Sequence, residues 1–203
     1  MSNIAIFASG SGSNAEQIIR YFSNNPEHSV KLVLSNRADA MVLERAARLG
    51  VPSMVFDRHT FYQTRQVLDS LRDVGADVLV LAGFLWLVPD YLLATYPQRI
   101  INIHPALLPE FGGKGMYGMR VHESVIREGR MKSGITIHLI DEEYDRGRIL
   151  FQTECPVLPG DTPDDLAGRI HQLEHRYYPE VINEYLLKLS PLSYNDQIQT
   201  GKP

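Results

Sequence analysis

The run DVLVLAGF at 77–84 constrains the fold more than any other stretch of this chain. It is apolar almost without interruption, whereas a strand with one wet face alternates apolar and polar side chains. A strand of this kind is buried on both faces, which calls for a mostly parallel sheet covered by helices on either side. The pattern before it agrees. Strand-like runs at 3–8 (NIAIFA), 30–35 (VKLVLS) and 52–56 alternate with helical patterns at 13–22, 39–49 and about 60–74. Ala15, Ile18, Ile19 and Phe22 share one face of the first helix, Gly50 closes the second, and Val67 and Leu71 share a face of the third. The INIH run at 101–104 is the following strand. This βαβαβ rhythm predicts an α/β fold, a doubly wound open sheet with right-handed crossovers.

The second half changes character. A glycine-rich loop, FGGKGMYGM at 111–119, leads into a helix at 121–129. SGITIHLI (133–140) and RILFQTECPVL (148–158) are strands joined by only seven residues, so an antiparallel strand is expected in the C-terminal half. A long helix is expected from Pro163, with Asp161 or Thr162 as its N-cap. Residues 189–203 lack periodicity and read as a tail. No repeat or linker divides residues 1–188, which are expected to form a single domain.

Composition narrows the function classes. The 203 residues carry a net charge of −4 and no basic stripe, which argues against a nucleic-acid partner. A single cysteine, Cys155, excludes an internal disulfide and a cysteine-based zinc site. It falls in the apolar phase of its strand and reads as a core residue. No secretory leader and no apolar run of membrane-spanning length is present, so a cytoplasmic location with no membrane partner is expected.

Three constellations carry chemistry. In ASGSGSNAEQII, 8–19, glycines between a strand and a helix let the backbone approach a ligand, and the helix N-terminus offers N–H groups and a positive dipole end. Gly10-x-Gly12-x-x-Ala15 also fits a dinucleotide fingerprint, but Asn36 and Arg37 stand where its acid belongs. Ser13 and Asn14 suit a terminal phosphate monoester, and a side chain added at Gly12 is expected to occupy the phosphate's place. The second constellation is His171-Gln172-Leu173-Glu174-His175. It has the H-x-x-E-H form of an inverted zinc-protease motif, but a zinc protease would leave the phosphate loop and the INIH strand end unexplained. The preferred reading is a helix that turns the Glu174 carboxylate into a cleft, with the histidines as packing or rim residues. The third joins two segments. Asn102 and His104 stand on one face of a strand that Pro105 terminates. In HLIDEEYDRGRI, 138–149, Asp145 precedes Gly147, which can tighten the loop and turn that carboxylate inwards. An aspartate against His104 would raise its pKa and fix its orientation. A solvated acidic turn is the alternative.

Together, GSGSN at 10–14, LAGF at 81–84, NIHPALLP at 102–109, DRGRI at 145–149 and LEHRYYP at 173–179 resemble the folate-dependent formyltransferases. Within that family the resemblance is to the phosphoribosylglycinamide branch, and it runs from about residue 3 to residue 188. It implies a Rossmann-like formyltransferase fold, with a phosphate-binding half at about 1–100 and a folate and catalytic half at about 101–188. It also implies transfer of the formyl group of 10-formyltetrahydrofolate to the amine of 5′-phosphoribosylglycinamide in purine synthesis, with no metal. By the same resemblance Asn102, His104 and Asp145 match the catalytic trio, in which Asn102 and a protonated His104 stabilise an oxyanion. Gly12, Ser13 and Asn14 match the substrate-phosphate loop, and Glu174 the carboxylate at the glycinamide end. Leu85, Trp86, Leu87 and Val88, with Asn102, Ile140 and Asp141, match the pterin pocket, and Arg65 a position near the folate tail. Trp86 stands where many relatives have an arginine, and the 110–120 loop is longer and richer in glycine. The partners implied are small molecules, with the chain a monomer or homodimer. A formyl-folate hydrolase and an NADP-dependent reductase are the competing activities.

Overall fold

A computed structural model describes residues 1–140, 145 and 147–189 of the chain. Its seven strands are β1 (Ser2–Phe7), β2 (His28–Ser35), β3 (Ser53–Val55), β4 (Val78–Leu81), β5 (Ile100–His104), β6 (Lys132–Leu139) and β7 (Ile149–Pro156). They form one sheet in the order β3-β2-β1-β4-β5-β6-β7. The first five strands pair in parallel, and β6 runs antiparallel to both β5 and β7. The expected fold class therefore stands. Strand order reverses between β1 and β4, and the crevice beyond their carboxyl ends is where open α/β sheets take ligands.

Helices cover both faces. On one lie α1 (Ser13–Phe22), α2 (Met41–Arg48), α6 (Met119–Arg127) and α7 (Pro163–Leu186), packed over Ile4, Ile6, Val78, Val80, Ile101 and Ile103. On the other lie α3 (Arg58–Gln63), α4 (Gln66–Asp73) and α5 (Asp90–Thr95), over Ala5, Phe7, Leu79 and Leu81. Both faces of β4 are fully buried, as its unbroken apolar run requires. The helix expected over 60–74 is two helices. Thr64 is extended, and its hydroxyl donates to the Thr60 carbonyl and accepts from the Gln66 amide, so its side chain ends one helix and starts the next. The sequence reading did not anticipate α5, a short helix between Pro89 and Pro97.

α7 begins as expected at Pro163. Thr162 accepts from the Asp165 amide while the Asp165 carboxylate accepts from the Thr162 amide, a reciprocal capping box that decides between the two expected caps. Further along, the fully buried Tyr178 donates its hydroxyl between the carbonyls of Leu81 and Ile101, at 3.0 Å from each. This locks α7 onto the carboxyl end of β4 and the first half of β5 and fixes where Glu174, one turn earlier, can reach. Asp141, Glu142, Glu143, Tyr144 and Arg146 of the acidic turn, and the tail from residue 190, lie outside the described residues.

Candidate active site

The β1–α1 loop opens the site. Gly12 has φ 73°, and a Cβ there would lie 2.5 Å from the Val42 side chain. A side chain at Gly12 therefore points into α2 and not into the space a phosphate would fill, which corrects the expectation from sequence. The loop is held from outside. Arg45 donates to the Ser11 carbonyl at 2.8 Å and pairs with Glu16, which Arg20 and Arg48 also contact. Those guanidiniums, Arg20 foremost, pull the Glu16 carboxyl down to about 2.

Asn14, in the first turn of α1, donates to Glu174 of α7 at 2.9 Å. Glu174 is only 6% exposed, and burial raises its carboxyl above the ordinary range even though the Asn14 bond opposes this. The Oδ1 atom of Asn14 is buried without a partner. His171 and His175 stack with ring centroids 6.2 Å apart. Among the described residues no group of three or more His, Cys, Asp or Glu side chains is arranged to hold a metal ion. The H-x-x-E-H helix instead turns its glutamate towards α1.

At the end of β5, Asn102 and His104 share a face, and their cross-strand neighbours on β6 are His138 and Thr136. Thr136 accepts from the Leu108 amide and donates to the Ala106 carbonyl, pinning the chain that leaves β5 at Pro105. Phe111, in the left-handed region with φ 55°, aims its carbonyl at His104 Nε2, 2.8 Å away. A carbonyl only accepts, so the proton sits on Nε2 and the Nδ1 atom faces Asp145 Oδ2 at 3.6 Å. Asp145, φ 56°, accepts from the Gly113 amide at 2.9 Å and lies 3.7 Å from His138. Its turn can form because Gly147 lies against β6, where a Cβ would fall 1.8 Å from the Leu139 carbonyl. The expected inward Asp145 is thus present. The expected rise in the His104 pKa is not: burial lowers it by more than Asp145 raises it.

His138 is the member that sequence reasoning missed. Its Nδ1 donates to the Leu139 carbonyl at 2.9 Å, which leaves Nε2 to accept from the Asn102 amide at 3.1 Å. A histidine in the apolar run SGITIHLI reads as core. The signal available was its period-2 alignment with Thr136, opposite an Asn-x-His strand.

Gly12, Ser13, Asn14, Leu85, Trp86, Leu87, Val88, Asn102, His104, Ile140, Asp145 and Glu174 all line one cavity of about 590 Å³. Leu85 and Leu87 are exposed at its apolar end. One expected residue among those described is not in its wall. The Arg65 guanidinium lies 4.4 Å over the Tyr91 ring, and Asp141 falls outside the described residues. Lys114, Arg120 and His122 also line the cavity, though sequence reasoning did not select them, and so does His171 of the H-x-x-E-H helix.

A doubly wound sheet whose switch point joins a glycine loop at a helix N-terminus to an Asn-His-Asp group is the layout of an α/β enzyme with its site at the carboxyl ends of the strands. The formyl transferase family model matches residues 2–182, and the chain belongs to that family. It is 43% identical over 185 residues to the chloroplastic phosphoribosylglycinamide formyltransferase of Arabidopsis thaliana, covering 88% of this chain and 63% of that one. To the phosphoribosylglycinamide formyltransferase of Bacillus subtilis (strain 168) it is 37% identical over 191 residues, covering 92% and 95%. The crystal structure of phosphoribosylglycinamide formyltransferase from Bacillus halodurans superposes with a TM-score of 0.84 at 35% identity, covering 95% of this chain and all of that one. The chain spans 63% and 59% of the length of the two plant relatives it matches. Among the described residues no helix is long and apolar enough to cross a membrane.

Proposed function

We propose that this chain transfers the formyl group of 10-formyltetrahydrofolate to the amine of 5′-phosphoribosylglycinamide, and that it does so in the cytoplasm. One observation carries the reading. The glycine loop, Glu174, the Asn102-His104-Asp145 group and the apolar 85–88 segment line a single cavity, so a phosphate-bearing acceptor and a flat apolar donor can meet at β5. In this reading Gly12, Ser13 and Asn14 hold the acceptor's phosphate at the start of α1. Glu174, whose carboxyl burial raises above the ordinary range, faces the acceptor's polar groups beside Asn14. Leu85, Trp86, Leu87, Val88 and Ile140 enclose the donor's ring, with Asp141 and Arg65 towards its rim and tail.

As the amine adds to the formyl carbon, negative charge gathers on the formyl oxygen. Asn102 meets it with the N–H not engaged by His138, and the geometry of that N–H is set beforehand. His104 becomes a second donor when Phe111 releases its Nε2–H. Asp145, facing Nδ1, favours the imidazolium at the moment charge develops and helps move a proton from the amine to the departing nitrogen.

The test is turnover of purified protein with both substrates, followed by release of tetrahydrofolate. Transfer that requires both substrates supports the proposal. Formate released without the acceptor would instead make the chain a hydrolase, and tight NADPH binding would make it a reductase.

A further inference from the structure

We propose that Lys114 and Arg120, on the glycine-rich loop and at the start of α6, supply the positive charge that balances the acceptor's phosphate. The inference rests on the ribonucleotide reading and extends it. A phosphate monoester carries nearly two negative charges at neutral pH, whereas a helix N-terminus offers about half of one positive charge. The arginines near the α1 loop are already committed. Arg45 is held by Glu16 and the Ser11 carbonyl, Arg20 and Arg48 are held by Glu16, and none of the three lines the cavity. Lys114 and Arg120 do line it, are exposed, and pair with no carboxylate among the described residues; Arg120 stacks on Tyr117 at 5.1 Å. Two residues after Arg120, the buried His122 shares the cavity wall with His171 and Glu174 of α7, and Glu174 accepts a hydrogen bond from Asn14 of the glycine loop's helix.

Lys114→Gln, Arg120→Gln and the double variant test this with three readouts: KM for the ribonucleotide, KM for the formyl donor, and preference for the ribonucleotide over its dephosphorylated riboside. Loss of a charge-assisted contact predicts a rise in ribonucleotide KM of about 10-fold to 100-fold per site, with donor KM within about twofold. Preference over the riboside should drop in step, and Lys114→Arg with Arg120→Lys should retain most of it. A double variant with the parent's ribonucleotide KM overturns the proposal. So does an equal loss on nucleotide and riboside, which would make the loop a matter of shape alone. If the parent transfers no formyl group, the functional reading fails, and ribose 5-phosphate binding by calorimetry judges the cations separately. Weakening of about 10-fold or more in the double variant supports them, and unchanged binding overturns them.

Discussion

At the scale of single residues, the site is a contest between burial and charge. His104 is 4% exposed, and burial pushes its pKa down, while Asp145 pulls it up. A reaction that uses the imidazolium therefore depends on Asp145 most where protons are scarce. Asp145→Asn should lower kcat least at acidic pH and progressively more as pH rises, and a kcat profile from pH 5.5 to 9 checks this. A loss independent of pH would make Asp145 only a tie to Gly113. Asn102→Ala removes an uncharged donor and should cost about 10²–10³ in kcat with much smaller changes in either KM. His138 acts through Asn102, since its Nε2 fixes the amide's orientation. His138→Ala should reduce kcat by about 10-fold on its own and add little to Asn102→Ala, because the two serve one donor. Full additivity in the double variant would assign His138 a separate task.

At the scale of elements, the turn into α1 shows why a motif can be right while its expected consequence is wrong. Gly12 is needed for its positive φ and for the closeness of Val42, so its substitution acts on the fold first. Gly12→Ala should destabilise the protein by about 2 kcal/mol or more, read as a lowered urea midpoint, through αL strain and overpacking against α2. Gly12→Ala combined with Val42→Ala should recover little of that loss, because the Val42 Cβ and Cα remain 2.5 and 2.8 Å from the added Cβ. Full recovery would mean that the clash is with the Val42 methyls alone. The same distinction explains what sequence could reveal. Periodicity located the sheet, α1, α2 and α7, since each buries a long apolar stripe. It missed the break at Thr64, where one hydroxyl outcompetes the helix, and it missed α5, too short to show a period. Asn102, His104 and Asp145 were legible because a strand end, a proline and a glycine mark them, and Glu174 because it sits in the H-x-x-E-H run. Lys114 and Arg120 were not, because an exposed cation in a loop looks solvated until the cavity beside it is seen.

At the scale of the whole molecule, the titration of buried groups sets how stability changes with pH. His28, His104, His122 and His175 all have folded pKa values lowered, each chiefly by burial, His122 to about 4. The unfolded chain takes up protons on these rings below about pH 6.5, while the folded protein resists, so stability is fully present above that pH and is lost as pH falls. Glu174 has the opposite sign. Its raised folded pKa means that the folded state holds a proton the unfolded chain has released, so its contribution falls as pH rises above the ordinary carboxylate range. The histidines outnumber it, and the midpoint of urea unfolding should decline from pH 7.5 to pH 5. His28 is the cleanest place to test the cause, because it is remote from the cavity lining. It is 5% exposed, its ring meets Phe22 at 6.2 Å, and neither ring nitrogen has a partner. Glu27 and Asp77 favour its charged form, but desolvation outweighs them. His28→Leu keeps an apolar body of similar size and removes the proton acceptor. At pH 7.5 the variant should be as stable as the parent or up to about 1 kcal/mol more so, since two unsatisfied nitrogens leave the core. Between pH 6.5 and 5 its stability should fall less steeply than the parent's, by at most about 1.4 kcal/mol per pH unit for a single linked proton. Parallel curves for variant and parent would show that His28 binds its proton equally in both states, leaving the acid sensitivity to the histidines around the cavity.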